Sequence, residues 1–312
     1  MVTKKNGFLE MPFGWMFALL AGAVILFLAI FFVVKLTSTE ELEQGIVTSN
    51  QVGILLSPLE IGFESAKTTV LELPSNSRIY TICDSSGVFG KQKIQVSQEN
   101  FGKISEGGLN ASFQNKYIFS ENPIEGRNFY IFTKPFIFPF KVSDLVYLIP
   151  STNVYCFVNP PNETRKEISD LKIKSVINVS SKSNCTLGSI SVCFSPGNCN
   201  ITVNKNSNDI NQNYVNRNNK RLYFVDDSLM YAAIFGDPNQ YDCQIERIAK
   251  RTVELAKLYD RKQSLVSARG CPTNINFNEL FGFVDYQYFT NEHIQEVNRI
   301  KELNEQVDCQ LW

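Results

Sequence analysis

A single histidine, His293, serves the whole chain of 312 residues. Its solitude excludes any site built on two imidazoles, and no Gly-x-Ser-x-Gly elbow offers it a matching nucleophile. Charge of either sign is not in excess: 30 Lys and Arg stand against 31 Asp and Glu, for a net charge of −1. Without a basic field there is no footprint for a polyanion, so no nucleic-acid partner is expected. Cys-x-x-Cys pairs are missing too. The nearest cysteines, Cys193 and Cys199 or Cys185 and Cys193, are spaced too widely for a zinc knuckle, and no metal or cofactor is expected.

Three short stretches invite a chemical reading and lack what that chemistry needs. Gly87-Val88-Phe89-Gly90-Lys91 does not have the spacing of a phosphate loop. Asp84-Ser85-Ser86-Gly87 has no second copy of the kind an aspartic-protease pair requires, and reads as a β-turn. Asp226-Asp227 places two carboxylates at a strand end, where such pairs serve a hard cation or acid–base work. No calcium-loop spacing or second acidic cluster accompanies them, so a turn or helix cap is the expected role. His293, at the start of a predicted helix, reads as an ordinary surface residue. The chain is therefore not expected to be an enzyme.

What the sequence does have is one uncharged apolar run, Phe13 to Val34. Its 22 residues at a helical rise of about 1.5 Å reach across a hydrocarbon core of about 30 Å. Lys4 and Lys5 precede the run, whereas Lys35 is followed by Glu40, Glu41 and Glu43, which predicts the amino terminus inside and the bulk outside. A cleaved secretory peptide is the rival reading, but its shorter apolar core would end at small residues, and here Val33-Val34-Lys35-Leu36 closes the run. Pro12 suits a first helical turn, and Phe13 and Trp15 suit the interfacial aromatic belt. Gly14, Ala18 and Gly22 recur every four residues and form a small-residue face against which another membrane helix could pack. The expected partners are thus the lipid bilayer and, through this helix, a second protein or a second copy.

The segment Lys4-Lys5-Asn6-Gly7-Phe8-Leu9-Glu10-Met11-Pro12-Phe13-Gly14-Trp15 resembles the start of archaeal type IV pilin-like precursors, and of archaeal single-pass membrane proteins more generally. The resemblance covers about 35 residues. It implies cleavage by a dedicated peptidase behind a small residue, with a nearby glutamate aligning the subunit in a filament. Gly7 and Glu10 take those parts, although Glu10 follows Gly7 by only three residues and Pro12 separates it from the helix.

All eight cysteines, Cys83, Cys156, Cys185, Cys193, Cys199, Cys243, Cys271 and Cys309, lie beyond the apolar run. An even count on one side of a span fits disulfides in an oxidising exterior, but it allows 105 pairings. Five Asn-x-Ser/Thr sequons occur, at Asn110, Asn162, Asn178, Asn184 and Asn200. A chain with 30 Asn yields about four such sequons by chance, so their number alone says nothing about export.

Five regions follow from the composition shifts: a cytoplasmic amino terminus over 1–12, a transmembrane helix over 13–36, a juxtamembrane helix or linker over 37–66, a β-rich extracellular region over 67–225, and a helical region over 226–312. Ser38-Thr39-Glu40-Glu41 fits a capping box that opens a short helix reaching about Leu56. Strands are predicted at 69–73, 79–83, 93–97, 116–119, 129–133, 145–149 and 154–158, with short spacings that suggest antiparallel hairpins. The aromatic runs Phe129 to Phe132 and Phe136 to Phe140 read as core, and Pro135 and Pro139 push them toward a sheet edge. A short helix is predicted over Glu163 to Lys174, then a disulfide-stapled patch from Asn184 to Asn200. Eight Asn among 16 residues make Asn204 to Asn219 a predicted exposed loop, followed by a strand over 221–225. Apolar spacings of three and four predict helices over Asp242 to Arg269 and Asn291 to Val307, packed antiparallel, which would bring Cys243 to Cys309. Arg247, Lys250, Arg251, Arg261 and Lys262, interleaved with acids, read as a solvated mixed face.

The expected fold is therefore α+β: an amino-terminal transmembrane helix, an antiparallel β-rich domain and a carboxy-terminal antiparallel helix pair, bonded by disulfides. The expected function is that of an anchored extracellular structural or interaction protein, such as a pilin-like or surface-assembly subunit. An anchored ligand-binding module is the alternative, and an anchored hydrolase ranks below it.

Overall fold

Residues from Thr68 onward build two sheets, and a helix that follows them is buried in a core shared by both. The structure is a computed structural model and describes residues 15–35, 68–100, 103–104, 110–206, 209, 212–271, 273–282 and 291–312. The predicted capping box and juxtamembrane helix, together with Gly7, Glu10 and Gly14, lie outside the described residues.

Helix α1, Trp15–Lys35, has a mean hydropathy of 3.0 and buries none of its apolar side chains within the protein. That length and composition suffice to cross a membrane and equally suit a signal sequence. Ala18 and Gly22 share one face of α1, and a Cβ added at Gly22 would meet nothing.

The first sheet contains β1 (Thr68–Asp84), β2 (Lys91–Asn100), β3 (Lys103–Ile104), β4 (Asn110–Phe113), β5 (Tyr117–Phe119), β6 (Ile124–Ile137) and β7 (Lys141–Pro150). Their order is β3-β2-β1-β6-β7-β5, with β4 also on β2. All pairs are antiparallel except β5 with β7. The strands predicted at 69–73 and 79–83 are two halves of β1, joined across a register shift between Glu72 and Ser77. Pro74 sits in that shift, where no ladder hydrogen bond is asked of it. β6 is interior rather than an edge strand, but Pro135 lies past the last β1 partner, Phe132 opposite Thr68, and pairs only with β7.

The second sheet contains β8 (Tyr155–Val158), β9 (Val176–Val179), β10 (Ile190–Cys193), β11 (Ile201–Asn204), β12 (Tyr214–Arg217) and β13 (Lys220–Tyr223), in the order β13-β12-β11-β10-β8-β9. β9, β8, β10 and β11 run parallel, and only β11-β12-β13 is antiparallel. The expectation of an all-antiparallel region is thus corrected to two mixed sheets. Parallel neighbours need a crossover, and α2 (Asn162–Leu171) supplies one between β8 and β9 by burying Ile168 and Leu171. The predicted Asn-rich loop, Asn204 to Asn219, is corrected in part: Asn204 ends β11 and residues 214–219 belong to a hairpin, while the described residues between them are in no strand. Val215 and Arg217 point inward from β12, and Asn218 and Asn219 make the tight turn to β13 with φ of 51° and 61°. Asparagine tolerates that left-handed backbone, so the end of the predicted loop is a hairpin.

Helix α3 (Asp227–Phe235) is buried from Ser228 to Phe235. It packs in the main core with Phe132, Tyr147, Tyr155 and Phe157 from both sheets. β7 is apolar on both faces: Leu145, Tyr147 and Ile149 join that core, while Val146 and Leu148 join a second one with Leu71, Ile79, Ile94 and Phe129. The aromatic runs are core as expected, since Phe129, Phe132, Phe136, Phe138 and Phe140 are all buried.

Helix α4 (Pro238–Ala268) starts earlier than predicted because Pro238 takes the first helical position and Asp237 caps it through the amides of Asn239 and Gln240. Short α5 (Asn278–Phe281) and α6 (Asn291–Gln306) complete the chain. Four disulfides consume every cysteine: Cys83–Cys243, Cys156–Cys185, Cys193–Cys199 and Cys271–Cys309. The expected Cys243–Cys309 bridge is therefore wrong, and so is the hairpin that suggested it. Cys271–Cys309 and the bond from Lys262 to the Leu311 carbonyl bring the end of α6 to the end of α4 rather than to its beginning.

Candidate functional site

One group of ionisable side chains sits where β6, α2 and α3 meet. Lys134 of β6 extends its ammonium to Glu167 of α2 at 2.5 Å and lies 5.3 Å from the centre of the Tyr231 ring of α3. The Tyr231 hydroxyl donates to the other Glu167 oxygen at 2.9 Å. Burial first, and the Glu167 charge second, push the Tyr231 phenol well above its ordinary range, so it remains a donor at all relevant pH. Lysine, glutamate and tyrosine thus satisfy one another, which ties three elements together without leaving a free nucleophile.

Asp226 lies just before α3 and caps it. Its carboxylate accepts from the Leu229 amide at 2.9 Å and from the Ser228 hydroxyl at 2.8 Å. Burial pushes the carboxyl up to about 6, and the cap hydrogen bonds and Lys134 only partly offset that. Asp227 turns the other way, to Lys205 at 2.6 Å. The two carboxylates diverge, so the pair is not a cation site. The expected cap is what Asp226 provides.

The opposite end of α3 is closed by an arginine. Arg217 of β12 donates to the carbonyls of Ile234 at 2.6 Å and Gly236 at 2.8 Å, and pairs with Glu121. Burial lowers its guanidinium to about 10, where it is still charged at neutral pH. A carboxyl at the positive end and a cation at the negative end suit the dipole of a helix that has no water to do the same work.

A third polar centre, Arg247 of α4, was not legible as such. Rather than lying on a solvated face, it is fully buried and donates to the carbonyls of Phe89 (3.2 Å), Lys116 (3.0 Å) and Gln114 (3.1 Å) and to the Gln244 side chain (2.8 Å). Its guanidinium also stacks 4.7 Å from the centre of the Tyr117 ring. The available signal was its place beside Ile248 and Gln244 on the inward stripe of α4. The Gly87–Lys91 stretch is therefore a hairpin loop seated on an arginine. Gly90 has φ of 59°, and a Cβ there would come within 2.5 Å of the Asp84 carbonyl and 2.8 Å of the Arg247 Cγ. The Asp84 turn is as expected: hydrogen bonds from the Ser86 hydroxyl and amide, aided by Lys93, hold its carboxyl down to about 2.

His293 is half-buried in the first turn of α6, and burial lowers its pKa against the opposing pull of Glu292 and Glu279. Among the described residues no three His, Cys, Asp or Glu side chains gather closely enough to hold a metal ion. Two shallow depressions open on the surface, one at Lys91 and Ser112 to Asn115, the other at Phe89, Arg251 and Leu258. Neither is lined by the Lys134, Asp226 or Arg217 groups. The chemistry these groups can perform is structural: they fix α3, α2 and the hairpin loop in place. Comparison of the chain with protein-family models, curated proteins and solved structures finds no match.

Proposed function

We propose that this protein is a membrane-anchored surface protein, held by α1 with its amino terminus inside and displaying the two-sheet domain outside as a structural or interaction module. The observation that carries the reading is the placement of the cysteines. All eight are paired in four disulfides, and all lie on the same side of a helix of membrane-spanning length and composition. The polar centres support a non-enzymatic role, because each is engaged by bonds within the fold.

Lateral packing through Gly14, Ala18 and Gly22 would let copies or partners assemble in the bilayer, and processing at Gly7 with Glu10 as the aligning carboxylate would make the protein a filament subunit. Protease added to intact cells tests the orientation. The domain beyond residue 36 is lost under this reading, and its protection until the cells are opened would refute it. Replacing Gly22 by Leu should at least halve the cross-linked dimer in membranes; undiminished cross-linking would remove α1 as the packing face.

A further inference from the structure

Asn178 and Asn200 carry sequons that the fold has already used. The Asn178 side chain is half-buried and its amide donates to the Arg165 carbonyl at 3.4 Å and the Ser169 hydroxyl at 3.3 Å. Asn200 turns its side-chain oxygen onto the Ser191 amide at 3.0 Å and hydroxyl at 2.8 Å, pinning the entry to β11. At Asn162 the asparagine is exposed at the start of α2, but the sequon threonine, Thr164, is completely buried. The side chain of Asn110 lies outside the described residues.

Asn184 is exposed like Asn162 and Asn200, but its side chain is not held by a firm bond as that of Asn200 is, and its sequon threonine is not buried as that of Asn162 is. It ends the single helical turn Lys182–Asn184, and both it and the sequon threonine, Thr186, are exposed. Its side-chain oxygen receives only a long 3.5 Å contact from Ser183, and no bond from its side-chain nitrogen is found among the described residues, while its backbone amide donates to the Ser181 carbonyl at 3.0 Å. The intervening Cys185 is bridged to Cys156 of β8, so the loop is presented from a rigid base. Leu187, two residues further, stands fully exposed with no apolar neighbour to cover it.

We propose that Asn184 is an N-glycan acceptor of this protein. This rests on the reading that the domain lies outside the membrane. An oligosaccharide on a lipid-linked phosphate carrier supplies the sugar. The Asn184 Nδ2 forms a bond to the anomeric carbon, the bond from that carbon to the carrier phosphate breaks, the carrier leaves with the bonding pair, and the amide gives up one proton. A glycan at this loop would overhang Leu187 and the Cys156–Cys185 bridge, leaving the opposite faces of the domain open for assembly.

The test is non-reducing peptide mapping with intact-glycan mass analysis of the full chain purified from its own membranes, beside the variants Asn184→Gln and Thr186→Ala. The expected result is a glycan on the Asn184 peptide, none on those of Asn178 and Asn200, and loss of that mass in both variants while all four disulfides persist. Thr186→Ala keeps the asparagine, so it separates loss of the acceptor sequon from loss of the fold. A bare Asn184 in a fully disulfide-bonded chain overturns the glycan assignment and leaves the external location standing. A bare Asn184 with free thiols overturns both. A glycan on Asn178 or Asn200 contradicts the argument that side chains already bonded within the fold are passed over in favour of Asn184.

Discussion

At the scale of single residues, the fold depends on charged groups placed where helix ends and loop carbonyls are shut off from water. Asp226 shows the cost of this most directly. Its carboxyl is raised from an ordinary value near 3.8 to about 6, so between those values the folded protein holds a proton that the unfolded chain has released. Stability from this group is therefore complete below about pH 4 and falls as the pH rises through 6. The Asp226→Asn variant keeps a capping oxygen and loses the titration. Relative to the variant, the wild-type protein should lose up to about 3 kcal/mol between pH 4 and pH 7, from two pKa units at about 1.4 kcal/mol each. Parallel stability curves for the two proteins, measured by denaturant unfolding at each pH, would show that the shift is absent. Asp226 was legible as a cap because a carboxylate between a strand and a helix has few other uses. Arg247 was not, since an arginine interleaved with acids looks solvated until the carbonyls it serves, from residues more than a hundred positions away, are brought beside it.

At the scale of elements, periodicity and short apolar runs bounded by turn residues gave away most strands and helices, and a helix apolar all round gave no such signal. β1, β2, β6 and the helices α2, α4 and α6 carry alternation or three-and-four spacing, and β5, β7 and β8 are short runs of apolar, β-branched and aromatic residues that were readable as strands without a period. α3 carries neither: its sequence Asp227-Ser228-Leu229-Met230-Tyr231-Ala232-Ala233-Ile234-Phe235 is apolar all round because both sheets cover it. β9 to β11 are four-residue strands among cysteines and asparagines, too short to show a period, and their parallel pairing depends on a crossover that no local signal announces. The disulfide partners were hidden for the same reason, since they join elements by tertiary position. Cys83–Cys243 closes a loop of 160 residues between the β1–β2 hairpin and the start of α4. Constraining so long a loop contributes on the order of 5 kcal/mol by the chain-entropy argument. The double variant Cys83→Ala, Cys243→Ala should accordingly unfold at a denaturant concentration well below that of the parent, and by a larger margin than loss of Cys193–Cys199, which spans six residues. Equal losses for the two pairs, in the same equilibrium unfolding experiment, would deny Cys83–Cys243 that role.

At the scale of the whole molecule, the apolar run was the feature most open to sequence reading, and it forms one helix long and apolar enough to cross a membrane. One apolar run and the absence of cysteine before it point to an anchor and an oxidised exterior. What the molecule binds was not open in the same way, because exposed faces carry no period and the site chemistry is spent internally. The account stands on the claim that α1 holds the domain on the oxidising side of a membrane. Its most direct test is mass-tagging of free thiols in the full-length chain, denatured without reductant straight from fractionated cells. The account predicts the chain in the membrane fraction with no tag attached. Tagging of the cysteines in a chain recovered from the soluble cytosol would contradict it.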